Sequence, residues 1–287
     1  MKFVEESYRL QAVSEDEMDL PSRFTAPASI DNWRHTRMLD ATAPLIATYP
    51  DSTWITVGDG RYGSDAAYLH DHGVAVTATT LTDERLRTAF ERGFIPAYRA
   101  ENAERMSFAD ESADFVLCKE SYHHFPRPPV ALYEMLRVAR RGVVLIEPLD
   151  APRPLDAVKR LVKRLVRGDT ELQFEPSGNF LYRLDIQELA KLMTAMGGLC
   201  LAFKGINDFY HPRFAASDCT RLNFGTVVTR LGIGLQNALS ACGLLGYGLG
   251  CVVIFRGEPE ARCTDALRRG GFRIVDLPRN PYVGGEA

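Results

Sequence analysis

Trp54–Leu69, WITVGDGRYGSDAAYL, is the stretch whose reading decides the fold. Trp54-Ile55-Thr56-Val57 is short, apolar and β-branched, as a buried strand of a parallel sheet is. Gly58, Gly60 and Gly63 follow at once in G-x-G-x-x-G spacing. From Ser64 to His70, Ala66, Ala67 and Leu69 are spaced for a helix that packs back on the sheet. Strand, glycine turn and helix let a backbone come close to a nucleotide-like ligand. Missing Cβ atoms leave room, and the first helical turn has N–H groups without partners. Glycine turns of this kind are common, so the pattern gains meaning only from its surroundings.

Toward the C-terminus, strands and helices alternate about every 20 residues, as in a parallel sheet covered on both faces. Strands are expected at Val74–Ala78, near Ile95–Tyr98, at Ala113–Cys118 and at Gly142–Ile146, the last ending at Glu147-Pro148. Helices are expected at Thr82–Arg92, with Thr82 as N-cap, and at Pro129–Arg140. Beyond lie a helix at Leu184–Met196, strands at Leu199–Lys204, Leu249–Phe255 and Phe272–Val275, and a short helix at Pro259–Arg269. Toward the N-terminus, a helix runs from Asp31 to Thr48, capped by Ser29 or Asp31, kinked at Pro44 and stopped by Pro50. Its Asn32, Arg34, His35 and Arg37 read as a solvated edge; the sharper alternative aims Arg34 or His35 at a carboxylate. Residues 1 to about 29 read as a partly irregular arm.

Two long stretches do not fit the alternation. Asp156–Arg167, DAVKRLVKRLVR, is an amphipathic helix with Val158, Leu161, Val162 and Leu165 opposite five basic side chains, either solvated or facing an anionic substrate or a membrane surface. Residues 207–246 exceed a normal connection and read as a cap over the sheet edge, built on an apolar helix from about Leu222 to Leu245. The whole chain reads as one domain, with its core at about 51–150, 182–206 and 248–257 and helical caps at about 1–50, 151–181 and 207–247.

Composition narrows the function classes. With 46% hydrophobic residues over 287 positions, the chain can bury one sizeable core. Thirty-four basic and 37 acidic residues leave a net charge of −3, with no basic groove for nucleic acid. The acidic N-terminus does not resemble a signal peptide, and no stretch approaches the ~18 apolar residues that span a bilayer. The six cysteines are scattered without metal-ligand spacing, and no acidic pair suits magnesium, so no metal is expected. A cytoplasmic enzyme is the plain reading; oligomeric state is not readable.

Chemistry then depends on which nucleotide-like ligand the turn serves. A nicotinamide site wants an acid at the end of the second strand to hold the ribose hydroxyls. Thr79 and Thr80 stand there instead, which weakens an NAD-dependent oxidoreductase as an alternative. The run from Glu101 to Pro148 carries an ordered set of motifs: Asn102-Ala103-Glu104, Met106-Ser107-Phe108, Ala113-Asp114-Phe115, His123-His124-Phe125, Glu134-Met135-Leu136-Arg137-Val138 and Gly142. With the glycine turn, residues 52–150 resemble the class I S-adenosylmethionine-dependent methyltransferases.

The resemblance implies a Rossmann-like, doubly wound, seven-stranded and mostly parallel sheet with a reversed final strand and helical cap insertions. It also implies S-adenosylmethionine as cofactor, bound by Gly58, Asp59, Gly60, Gly63, Thr80, Asn102, Ala103, Glu104, Lys119 and Glu120. Family members carry acids where this chain has Thr56, Thr80 and Asn102. Thr80 retains one neutral hydrogen bond there, Asn102 an amide oxygen for the adenine amine, and Asp59 an unusual acid for the methionine amino group. His123 and His124, just beyond the fourth strand, suit a general base for a hydroxyl acceptor or a wall of the cofactor pocket. Tyr122, Tyr210, His211 and Arg213 are candidate substrate contacts, and Glu147 is a contact or a turn residue. The function expected is O-methylation of a small molecule, such as a sugar, nucleotide-linked sugar or secondary metabolite. The basic helix, Arg213 and Arg221 tilt toward an anionic acceptor. N-methylation and a non-catalytic adenosine-binding role are the remaining alternatives.

Overall fold

The structure is a computed structural model that describes residues 2–17, 21–150, 180–198 and 200–282, with isolated positions between 155 and 174. Eight strands form one sheet: β1 (Thr53–Val57), β2 (Ala75–Thr80), β3 (Tyr98–Ala100), β4 (Ala113–Lys119), β5 (Ala139–Pro148), β6 (Cys200–Ile206), β7 (Leu249–Phe255) and β8 (Arg273–Asp276). Their spatial order is β3-β2-β1-β4-β5-β7-β6-β8. β3, β2, β1, β4 and β5 pair in parallel, while β7 runs antiparallel between β5 and β6. The reversed strand is as expected, but the sheet has eight strands rather than seven. Arg273–Asp276 adds itself antiparallel to β6, so that edge is extended by one short strand.

Burial explains why these segments are strands. All seven positions of β4 and of β7 are buried, as expected for central strands with both faces covered. One face packs Trp54, Phe115, Leu69, Leu86 and Leu267 under α2 (Ile30–Leu39), α3 (Ala43–Thr48), α4 (Ser64–Asp71), α5 (Glu84–Glu91) and α10 (Ala261–Arg269); the Trp54 and Phe115 rings lie 4.8 Å apart. The other face packs Leu132, Met135, Leu189 and Met193 from α6 (Pro128–Val138) and α7 (Ile186–Ala195). Each such side chain contributes about 1.5–3 kcal/mol by leaving water. Gly142 is where β7 comes closest: a Cβ there would sit 2.5 Å from the Ile254 carbonyl oxygen.

The caps differ more from expectation. Residues Lys2–Glu17 form a regular helix, α1, rather than an irregular arm. The Asp31–Thr48 helix is broken by a 3-10 turn at Asp40–Thr42 just before Pro44, and the Ser29 side chain caps α2 by accepting from Asn32 N at 3.1 Å. The 207–246 segment contains α8 (Pro212–Ala215) and α9 (Phe224–Ala241). It is stitched to α2 by the Ile30 N–H donating to Ser217 O at 2.8 Å. Most of the basic residues of the 156–167 segment lie outside the described residues. Among the described residues no helix is long and apolar enough to cross a membrane.

Candidate active site

β1 and β4 are neighbours whose onward connections run to opposite sides, so a crevice opens beyond their carboxyl ends, where such sheets bind ligands. The glycine turn lies at this point, but its glycines serve packing first. Gly58 has φ +74°, and a Cβ on it would lie 2.4 Å from the Ser121 Cβ; the Ser121 hydroxyl donates to Gly58 O at 2.8 Å. Gly63 has φ +68°, and a Cβ there would lie 2.9 Å from Ile95. The room expected for a ligand at these two positions is thus taken by the protein. Gly60 lies in the same turn.

The N–H groups expected to be without partners at the start of α4 are also partly taken. Asp59 accepts from Asp65 N at 3.2 Å, from Ala66 N at 2.9 Å and from the Thr56 hydroxyl at 2.9 Å. Burial pushes its carboxyl up to about 7, and the nearby Asp65 adds to the shift against those hydrogen bonds. Asp59 therefore holds the turn on β1 from inside. Thr80 is buried at the end of β2, where its carbonyl accepts from Glu101 N at 2.8 Å. The Asn102 side-chain oxygen accepts from Glu104 N at 2.8 Å, closing a local turn. Ala103 is buried, and Glu104 grips Arg127 through the Arg127 backbone N at 2.7 Å and Nε at 2.6 Å. That tie joins the turn after β3 to the start of α6. Tyr8 of α1 faces Glu104 and Asn102, with burial first and Glu104 second pushing its hydroxyl pKa up.

At the end of β4 the chain gathers buried charges. Lys119 Nζ lies 3.2 Å from Asp65 Oδ1 and 2.9 Å from His35 Nδ1. Burial alone would lower the Lys119 pKa, but Asp65 and Glu120 outweigh it and hold the ammonium charged. Glu120 has φ +49°, a strained backbone for a residue with a Cβ, and its Oε2 lies 3.2 Å from His35 Nδ1. Burial raises the Glu120 carboxyl despite Lys119 and Arg34. Arg34 is not solvated: it bonds Asp31 Oδ1 at 2.6 Å and Asp208 Oδ1 at 2.8 Å, so the carboxylates it meets belong to the protein. His35 is enclosed too. Burial, then Lys119, Arg61 and Arg34, hold its pKa well below the ordinary histidine range. Arg61 reaches His35, Asp31 and the Pro21 carbonyl. A narrow, partly open pocket lies beside this group, lined by His35, Arg61, Ser64, Asp65 and Lys119 among others.

The second cluster stands on the 3-10 turn Tyr122–His124. The register that sets Lys119 opposite Ile146 brings Glu147 of β5 alongside it. Fully buried, Glu147 accepts Ser121 N at 2.9 Å and Tyr122 N at 3.0 Å on Oε1, and its Oε2 lies 2.6 Å from His123 Nδ1. His124 stacks on His123 with ring centroids 3.9 Å apart, and Gln11 of α1 donates to the His124 carbonyl. Tyr122 is buried against Phe125 and Tyr182, and burial, then Tyr182, pushes its hydroxyl pKa up.

His123, His124, Tyr122, Lys119 and Glu120 are thus brought together. Tyr210 lies instead under the Arg34 guanidinium, 4.7 Å from its ring centre. Exposed His211 caps α8 by accepting from the N–H of exposed Arg213 at 3.2 Å. Sequence reading missed Asp31, Arg61, Asp65 and Asp208. It weighed Glu147 without seeing its histidine partner, although an acid ending the strand beside the His-His turn was the available signal. Among the described residues no cluster of three or more His, Cys, Asp or Glu side chains is placed to hold a metal.

Residues 55–146, from β1 through β5, match the family model described as a methyltransferase domain. That stretch, about a third of the chain, is similar to methyltransferase domains. A methyltransferase domain implies S-adenosylmethionine as its methyl donor and speaks against the nicotinamide alternative. One curated relative is the 2-methyl-6-phytyl-1,4-hydroquinone methyltransferase of Synechocystis, 31% identical over 100 residues, which are 34% of this chain. The match spans 31% of that relative's length. An S-adenosylmethionine-dependent methyltransferase from Archaeoglobus fulgidus shares the fold at TM-score 0.50 and 11% identity, over 78% of this chain and 94% of that one. So does a chain from the complex of the Haloferax volcanii Trm112 methyltransferase activator and a methyltransferase, at TM-score 0.50 and 15% identity, over 79% and 94%.

The residues at the crevice fit the methionine end of the cofactor, which carries an ammonium and a carboxylate. Carboxylates (Glu120, Asp65) and cations (Lys119, Arg61) converge there. Beyond the carboxyl ends of β2 and β3, Thr80 and Asn102 offer neutral groups only.

Proposed function

We propose that this methyltransferase acts on a hydroxyl of a small-molecule acceptor, with His123 as the general base and Glu147 as the residue that positions it. The 2.6 Å contact between His123 Nδ1 and the buried Glu147 carboxylate carries this reading. Two backbone N–H groups fix Glu147, so it holds a proton on Nδ1 and sets the ring's tautomer and direction. Nε2 is then the nitrogen that takes the hydroxyl proton, and Glu147 compensates the positive charge the ring acquires. When bound, S-adenosylmethionine supplies an electrophilic methyl group on a sulfonium centre. Lys119, Glu120 and Arg61 hold its methionine end; Thr80 and Asn102 meet its nucleoside end. Fixing acceptor and methyl donor in line accounts for much of the acceleration in such a transfer.

The name of the Synechocystis relative specifies a hydroquinone, which supports an acceptor bearing ionisable hydroxyls. Such an acceptor needs a base, whereas an amine is already nucleophilic. The test is calorimetric titration with S-adenosylhomocysteine, with NAD in parallel, followed by turnover of His123→Ala on hydroxyl and amine acceptors. Saturable binding of the first ligand alone, with hydroxyl transfer lost in the variant, is expected. Unchanged transfer in His123→Ala would sink the base assignment and favour N-methylation. Silence from S-adenosylhomocysteine would favour a non-catalytic relative.

A further inference from the structure

We propose that the outer face of α9, with the exposed Leu155, Val158, Leu161, Val162 and Leu165 beside it, rests on the surface of an anionic lipid bilayer. Helix α9 is inside out. Its buried residues are Gly225, Thr226, Thr229 and Ile233, with Thr226 3% and Thr229 1% exposed. Its large apolar residues face solvent: Phe224 is 75% exposed, Leu231 68% and Leu235 62%, and Leu222 just before it 88%. Phe224, Leu231 and Leu235 recur at helical spacing and so form one stripe. Soluble proteins rarely leave such a contiguous patch in water unless something covers it.

Charge identifies the cover. Between Leu222 and Phe255 Arg230 is the sole charged residue, and Arg221 precedes the helix. The Leu155 N–H donates to Leu244 O at 3.3 Å, which joins the 155–165 segment to the loop leaving α9. There Leu155, Val158, Leu161, Val162 and Leu165 have helical backbone and are exposed. The sequence from Asp156 to Arg167 sets five basic residues against one acid, in a chain of net charge −3. Exposed apolar side chains interleaved with Lys and Arg are the pattern of an interfacial helix on anionic lipid. A second copy of the chain is a poorer occupant. A two-fold contact through α9 would bring Arg230 of both copies to one interface with no acid of the helix to meet them.

The experiment is co-sedimentation of the full chain with vesicles of phosphatidylcholine alone and with added phosphatidylserine, at low and high salt. Binding to the anionic vesicles, weakened by salt, is expected. Phe224→Ser, Leu231→Ser and Leu235→Ser should each lower it about tenfold, the effect of losing one buried apolar side chain. Far-ultraviolet circular dichroism checks that these surface variants remain folded, and light scattering follows the assembly state. Equal binding to neutral vesicles, or binding indifferent to the three substitutions, overturns the proposal. So does a dimer that ignores vesicles and dissociates in the Leu231→Ser variant, because the cover is then a second copy. The readout needs neither cofactor nor turnover, so it stands apart from the assignment of the base.

Discussion

His35 and His123 flank the same sheet edge, and the sign of their neighbours separates them. His35 has Glu120 at 3.2 Å but also Lys119, Arg61 and Arg34, and burial first, then these three cations, hold its pKa well below the ordinary range, so it stays a neutral strut. His123 faces one carboxylate, itself anchored by two backbone N–H groups. A histidine between cations cannot take up a proton near neutrality. One held by a carboxylate is prepared to do so.

The sharpest way to break this comparison is paired substitution. His123→Ala should lower kcat by about 10²–10⁴-fold while leaving S-adenosylhomocysteine affinity near wild type. His35→Ala should retain the acid limb of the pH–rate profile that His123→Ala loses. If His35→Ala removes that limb instead, the roles are reversed. Lys119→Met tests the charge cluster, because it strands Asp65 and Glu120 without their buried cation. A loss of about 3–5 kcal/mol in urea unfolding is expected; a loss below 1 kcal/mol would mean that the cluster is solvent-screened.

Glu147→Gln keeps the shape of the dyad but removes its charge. Turnover should fall about 10²-fold with a smaller change in KM, since the residue acts through His123. The smallest effect concerns Asp59. Its carboxyl is raised to about 7 in the fold, against an ordinary value of 3.8. The unfolded chain therefore releases its proton first as pH rises from about 4 to about 7, and the folded state loses stability across that window. Asp59→Asn should flatten this part of the stability–pH curve, so that the variant gains on the wild type as pH rises from about 4 to about 7. An unaltered slope would mean that Asp59 is ionised throughout.

The sequence showed most of the scaffold. Leu249–Phe255 matched its strand at both ends, because seven consecutive apolar or small residues allow only a fully buried position. Ser29 announced a helix start through the side-chain cap it forms. The strand at Phe272–Val275 was legible too, but its place as an eighth strand on the sheet edge and the helix α1 were harder. Short edge strands and N-terminal helices depend on where the rest of the chain leaves room, and that is not a local signal. Within the site, His123, His124, Lys119 and Glu120 were legible because they follow a strand whose place in the sheet the motifs revealed. Asp208 could not be matched to Arg34 across 174 positions, since charge pairs of that separation leave no periodicity.

By itself, then, the sequence determined the parallel core, the glycine turn at the switch point and the resemblance to a methyltransferase domain. Each rests on local pattern: apolar runs, turn residues and ordered motifs. Only the tertiary structure decided that Gly58 and Gly63 yield their space to Ser121 and Ile95 and that Asp59 holds the turn from inside. It alone decided, too, that one histidine lies among cations and the other against Glu147. Those outcomes depend on which side chains meet across the sheet edge, and that is settled by register and packing, which no single stretch of chain contains.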